Sequence, residues 1–179
     1  MARKFRYFNN PDASPKECAS NFLEDNFVVQ YRGKDIIYII YKNVEDGDRE
    51  DIWMNEHRRS YNEVIIDGLQ KFRLDIDGKI TFGEMRCLLH IIRRIFKHIG
   101  LDAEILVYDI KTSNHIVVSN IALESSGCCH MLANLIMAKI LEKIPHISSL
   151  IDLDIYKKVQ MFRIEGSTKY MQRRWKCLE

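Results

Sequence analysis

The chain has 179 residues and a mass of 21.2 kDa, with 46% hydrophobic and 29% charged residues, an ordinary globular composition with room for one sizeable domain or a domain with a small annex. Its 27 basic and 25 acidic side chains leave a net charge of +2, so nucleic-acid binding has to come from local patches such as Arg93-Arg94, Lys157-Lys158 and the run from Lys169 to Lys176 rather than from bulk charge. Five scattered cysteines without CxxC spacing argue against a disulfide framework or a zinc ribbon and for a reducing, intracellular compartment, and no stretch approaches the ~18–20 apolar residues of a membrane span.

Residues 1–26 are polar and mixed. Ser14-Pro15-Lys16-Glu17 has the form of a helix start, with Ser14 capping and Pro15 at the first helical position, which predicts a short helix over about 15–25. Phe27 to Tyr31 and Asp35 to Tyr41, joined by Arg32-Gly33-Lys34, are rich in β-branched and aromatic residues and predict a hairpin. The charged run Glu45 to Asp51 reads as a solvated loop. Tyr61 to Gln70 is ambiguous between strand and helix.

Phe72-Arg73-Leu74-Asp75-Ile76-Asp77-Gly78-Lys79-Ile80 then places two carboxylates two residues apart inside an apolar run. In a strand, residues i and i+2 share a face, so Asp75 and Asp77 project to one side while Leu74 and Ile76 enter the core. Such a pair repels unless a cation sits between its members. Carboxylate oxygens suit Mg²⁺ or Mn²⁺, and a two-metal phosphoryl-transfer site needs this pair plus a third carboxylate from elsewhere. Two other readings stand beside it. Aligning Gly78 with the sixth position of an EF-hand calcium loop puts Glu84 at the twelfth, although Arg73 then occupies the first ligand position. The stretch also reads as a solvated Asp-Gly turn.

Beyond it, apolar residues at 85, 88, 89, 92, 95, 96 and 99 keep a helical period that Gly100 stops. Glu104 to Tyr108 and His115 to Ser119 predict strands, Cys128 to Ile144 a second long helix ended by Pro145, and Ile147 to Asp154 and Gln160 to Glu165 two further strands. From about residue 70 onward the order is strand, helix, strand, strand, helix, strand, strand. That is an α+β pattern, a mostly antiparallel sheet with helices on one face.

Three stretches supply what the Asp75/Asp77 pair lacks. Lys111-Thr112-Ser113-Asn114-His115 brings an ammonium, two hydroxyls and an imidazole to the mouth of a strand. Ile151-Asp152-Leu153-Asp154-Ile155-Tyr156 brings a third carboxylate, with Asp154 an alternative to Asp152. Phe162-Arg163-Ile164-Glu165-Gly166-Ser167-Thr168-Lys169 brings a guanidinium and an ammonium. In this order and spacing the four stretches, across about residues 61–172, resemble the archaeo-eukaryotic primase superfamily. The likeness is nearest to its primase-polymerase branch and to the primase half of the primase-helicases of large DNA viruses of the poxvirus type.

The resemblance implies a primase-type catalytic core with an RRM-like sheet over residues 61–179 and a small N-terminal αβ annex over 1–60. It implies a DNA primase or DNA-directed primase-polymerase that transfers nucleotides from NTP or dNTP on a single-stranded DNA template. Asp75, Asp77 and Asp152 would hold two Mg²⁺ or Mn²⁺ ions. Lys111, Ser113 and His115 would bind the incoming triphosphate, and Arg163 and Lys169 would contact phosphate or template. The plain alternative for His115 is a packed histidine heading a strand. If viral, the protein would work in host cytoplasm or nucleus. The pattern carries no zinc motif and no GxxxxGK[ST], so any helicase would be a domain or subunit outside this chain. The end of the sequence about ten residues after Lys169 fits an excised domain or a minimal stand-alone polymerase. Two further classes are an EF-hand-like calcium-binding interaction protein and a catalytically silent single-strand-binding domain on the same sheet.

Overall fold

A computed structural model describes residues 3–7, 27–32, 36–41, 60–109, 112–157, 159–163 and 177–178. The expected helix at 15–25 and the charged run at 45–51 lie outside them. The chain divides into two compact units, 1–66 with 158–177, and 67–157 with 178–179. The fold is α+β with antiparallel sheets.

The first unit holds β1 (Arg3–Tyr7), β2 (Phe27–Arg32), β3 (Ile36–Tyr41) and β4 (Ser60–Ile66), together with β9 (Val159–Arg163), in the sheet order β1-β3-β2-β4-β9. The expected hairpin forms as β2–β3, with Gln30 opposite Tyr38. Its buried polar atoms are satisfied in place, because Gln30 Nε2 donates to the Tyr38 hydroxyl at 3.1 Å and Asn62 Nδ2 donates to Gln30 Oε1. Val28, Tyr38 and Val64 form its apolar centre, with Ile66, Val159 and Met161 packed against them.

The second unit runs β5 (Gln70–Ile76), α1 (Phe82–His98), β6 (Ile105–Asp109), β7 (Asn114–Leu123), α2 (Ser126–Lys143), a short α3 (Pro145–Ser148), β8 (Ile151–Asp152) and a 3₁₀ turn (Leu153–Tyr156). Its strands lie in a five-stranded sheet ordered β10-β6-β7-β5-β8, with β10 (Cys177–Leu178) at one edge, and the pairs β6–β7, β7–β5 and β5–β8 are antiparallel. β5 alternates as the sequence requires, with Phe72, Leu74 and Ile76 fully buried and Lys71, Arg73 and Asp75 on the other side. Both long helices cover the buried face. Met85, Leu88, Ile92 and Phe96 from α1 and Cys129, Leu132, Ala133, Ile136 and Ile140 from α2 join Phe72, Leu74, Ile76, Ile116 and Val118 in one core.

The helix ends follow from local chemistry. At the start of α1, Thr81 and Glu84 make a capping box, since Glu84 N–H donates to Thr81 Oγ1 and Thr81 N–H to Glu84 Oε2 at 2.6 Å. At its end Gly100 takes φ +81°. Gly100 N–H donates to the Lys97 carbonyl and Leu101 N–H to that of Phe96, the Schellman arrangement that a left-handed glycine permits. Ser125 caps α2 by accepting from Cys128 N–H, and Asp67 Oδ1 accepts from both the N–H and the hydroxyl of Ser126, at 2.9 and 2.8 Å.

One predicted strand is corrected. Residues 147–154 do not form a continuous strand, because Pro145 opens a further helical turn at its first position. Only Ile151–Asp152 pair with β5 before the chain winds into the 3₁₀ turn. The ambiguous segment 61–70 resolves as β4 followed by the start of β5.

Candidate functional site

β5 is flanked on both sides, so each of its residues has a register partner on either hand. Asp75 stands opposite His115 of β7 and opposite Asp152 of β8, and His115 in turn stands opposite Tyr108 of β6. Directly opposed residues on antiparallel strands share a face. Tyr108, His115, Asp75 and Asp152 therefore form a row across β6, β7, β5 and β8, on the face away from the helices. The next row, Ile116, Leu74 and its neighbours, points into the core.

Within the row, His115 is 4% exposed and its Nε2 lies 3.3 Å from Asp75 Oδ1. That oxygen is shut off from solvent and accepts no hydrogen bond. Asp152 is half-buried, and its Oδ1 accepts from Asp154 N–H at 2.8 Å, which caps the 3₁₀ turn. Opposed carboxylates have Cβ atoms about 4.5–5.5 Å apart and destabilise a strand pair unless a proton or a cation compensates them. Asp77 follows two residues after Asp75, beyond the last paired residue of β5, and is exposed. Its N–H donates to the Leu150 carbonyl at 2.7 Å, which draws the chain entering β8 against the end of β5.

Two neighbours hold this geometry. A Cβ on Gly78 would come within 2.9 Å of both Leu150 methyls, so a hydrogen at that position lets the segment before Asp152 approach. Tyr156 closes the 3₁₀ turn from the core side. Its hydroxyl donates to the Arg73 carbonyl, and its ring stacks with Phe72 at 6.3 Å between centroids and with His130 at 5.8 Å. Burial, ahead of the charge on Cys129, holds the Tyr156 phenol well above its usual range, so the donor stays protonated. Tyr156 is thus a pin between the turn that carries Asp152 and the strand that carries Asp75.

The alternative third carboxylate separates cleanly. Asp154 lies in the 3₁₀ turn, exposed, with its Oδ2 2.5 Å from Lys157 Nζ, whereas Asp152 is the residue in register with Asp75. The calcium-loop alignment meets a different backbone, because residues 70–76 are strand where a helix would have to enter the loop. Glu84 serves the capping box and also lies 2.5 Å from His146 Nε2. The N–H of Thr81, ahead of the other contacts, holds the Glu84 carboxyl below its ordinary value.

The remaining sequence candidates are placed as follows. Ser113 precedes β7 and is half-buried. Arg163 lies in β9 of the first unit, opposite Asn62. Lys111 and Lys169 lie outside the described residues. Among the described residues no group of three or more His, Cys, Asp or Glu side chains gathers closely enough to hold a metal ion, and no helix is long and apolar enough to cross a membrane. The structure sets Asp75 in register between Asp152 and His115 on one face of the sheet, with Asp77 adjacent along the chain. Sequence reasoning missed Tyr108 and the Asp67 clamp on Ser126. The second had a signal in Ser125-Ser126 ahead of an apolar run; the first depends on the register of β6 against β7.

No protein-family model matches this sequence, and no curated protein matches it.

Proposed function

We propose that this chain is the catalytic core of a DNA primase or primase-polymerase, a metal-dependent nucleotidyl transferase acting on a single-stranded DNA template with NTP or dNTP. The observation that carries the reading is the register of Asp75 between Asp152 and His115. The strand–helix–strand–strand–helix–strand order of the second unit, with strands ranked β8-β5-β7-β6, also supports it, since that is the ferredoxin-like, RRM-like plan the resemblance implies for a primase core.

The donor set suits hard divalent cations. Asp75 has a buried carboxylate oxygen with no hydrogen bond, a second carboxylate opposes it in register, and hard oxygen donors favour Mg²⁺ or Mn²⁺. Asp75, Asp77 and Asp152 would hold the ions. Bound divalent ions would supply activation of the attacking 3′-hydroxyl and charge neutralisation at the departing pyrophosphate. In this reading His115, held beside Asp75, donates a hydrogen bond to a triphosphate oxygen, and Ser113 and Lys111 contribute a hydroxyl and an ammonium to the same triphosphate. Tyr156 fixes the position of Asp152. Arg163 and Lys169 neutralise nucleotide or template phosphates, and any helicase activity belongs to a domain or subunit outside this chain.

The test is extension and de novo synthesis on single-stranded DNA with Mg²⁺ or Mn²⁺. Template-dependent product from the wild type and none from Asp75→Asn is the expected result. Tight single-strand binding with no synthesis under either metal would favour the catalytically silent binding domain instead.

A further inference from the structure

Helix α1 carries a feature that the candidate site does not use. Its buried side is Met85, Leu88, Ile91, Ile92 and Phe96. Its outward side, at spacings of three and four residues, is Phe82, Arg86, His90, Arg93, Arg94 and Lys97, every one exposed, and residues so spaced form one continuous stripe. The helix holds four fixed cations against one carboxylate, Glu84, and that carboxylate is engaged by Thr81 and His146. These four cations lie along one stripe about 22 Å long at the helical rise of 1.5 Å per residue, in a chain whose net charge is only +2. At one end Phe82 is 77% exposed, with the Arg86 guanidinium 5.8 Å from its ring centre.

We infer that the outward face of α1 is a docking track for single-stranded nucleic acid, on the side of the sheet opposite the Asp75 row. Charge complementarity selects a polyanion. A strand stacked at about 3.4 Å per nucleotide presents roughly six phosphates along the stripe, and an exposed aromatic ring beside a guanidinium is the pairing that stacks an unpaired base in sequence-tolerant single-strand binders. A membrane surface fits less well. Interfacial helices insert a continuous apolar face, and here that face is consumed by the protein core, leaving Phe82 as the one large apolar side chain of the stripe. The inference stands on α1 alone and is independent of the nucleotidyl-transfer reading.

The experiment is fluorescence anisotropy of the full chain with a labelled mixed-sequence single-stranded oligonucleotide, in EDTA and across a salt series, so that metal chemistry does not enter. Arg93→Gln, Arg94→Gln and Lys97→Gln combined should weaken binding more than tenfold and make the log–log salt dependence shallower by about 2, since each lost phosphate contact contributes a slope of about 0.7. Phe82→Ala should weaken binding about fivefold or more with the slope retained, because stacking releases no counterions. All substituted side chains are exposed, and circular dichroism confirms folding. Unchanged affinity and slope in the triple variant overturns the inference. So does binding to anionic phospholipid vesicles that the triple variant loses while its oligonucleotide affinity stays at the wild-type value.

Discussion

Asp75 and Asp152 face each other directly across the antiparallel pair β5–β8, with no fixed cation among their described hydrogen-bonding or ion-pair partners. In EDTA this pair opposes folding, so Asp152→Asn should leave the melting temperature unchanged or raise it. Asparagine keeps an oxygen to cap the 3₁₀ turn and removes the repulsion. Asp152→Ala loses the cap as well and should cost about 0.5–2 kcal/mol. Thermal melts of the two variants in EDTA check both directions.

Tyr156→Phe keeps the stack on Phe72 and His130 but removes the donor to the Arg73 carbonyl. A loss of about 0.5–1.5 kcal/mol is expected in denaturant melts, together with a larger proportional fall in metal-dependent synthesis, because the turn bearing Asp152 loosens from β5. Tyr156→Ala also removes the half-buried ring that stacks on Phe72 and His130 and should cost more than Tyr156→Phe.

Thr81 and Glu84 make the capping box of α1, not a metal site. Thr81→Ala should lower stability by about 0.5–2 kcal/mol. Glu84→Gln should leave Mn²⁺-dependent synthesis within a few fold of wild type. The Glu84 carboxyl titrates below its ordinary value, so its contribution is present above the ordinary carboxylate range and is lost as pH falls through the lowered value. The acid limb of a pH–stability curve should therefore flatten in Glu84→Gln. Complete loss of synthesis in folded Glu84→Gln would restore the calcium-loop alignment.

Much of this architecture is written locally. The alternation of Phe72, Leu74 and Ile76 with Arg73 and Asp75 specifies the strand and its faces, the apolar period from Met85 to Phe96 specifies α1, and Gly100 marks its end. What local pattern does not carry is pairing. That β8 shrinks to Ile151–Asp152, that Asp154 winds away to Lys157, and that Val159–Arg163 return to β4 are outcomes of register and of Pro145, and the two strand pairings join residues 75 to 101 apart in sequence. The Asp75/Asp77 spacing reads as a shared side only while a strand continues, and β5 ends at Ile76, one residue before Asp77. The row through Tyr108 and His115 was not, because it needs the register of three strand pairs at once.

Alkaline stability follows from two buried acids behind the sheet. Burial pushes the Cys129 thiol up to about 11 and holds the Tyr156 phenol well above its usual range. Both groups fold in the neutral form, so their contribution is complete below the unfolded-state values near 9 and 10 and is lost as pH rises through the folded ones. Stability should fall from about pH 9 upward. Cys129 should also resist alkylation in native protein at pH 8.5 while the half-buried Cys87 and Cys128 react faster, as mass spectrometry of modified peptides would show.

On the proposed reading Asp75 and Asp152, rather than Asp154, hold the divalent ion. Mn²⁺ binding followed by the loss of the free-ion paramagnetic signal tests it on four folded proteins: wild type, Asp75→Asn, Asp152→Asn and Asp154→Asn. The account predicts binding by wild type and Asp154→Asn with matching affinity, and a loss of more than tenfold in both Asp75→Asn and Asp152→Asn. Wild-type affinity in Asp152→Asn, or a loss confined to Asp154→Asn, would contradict it.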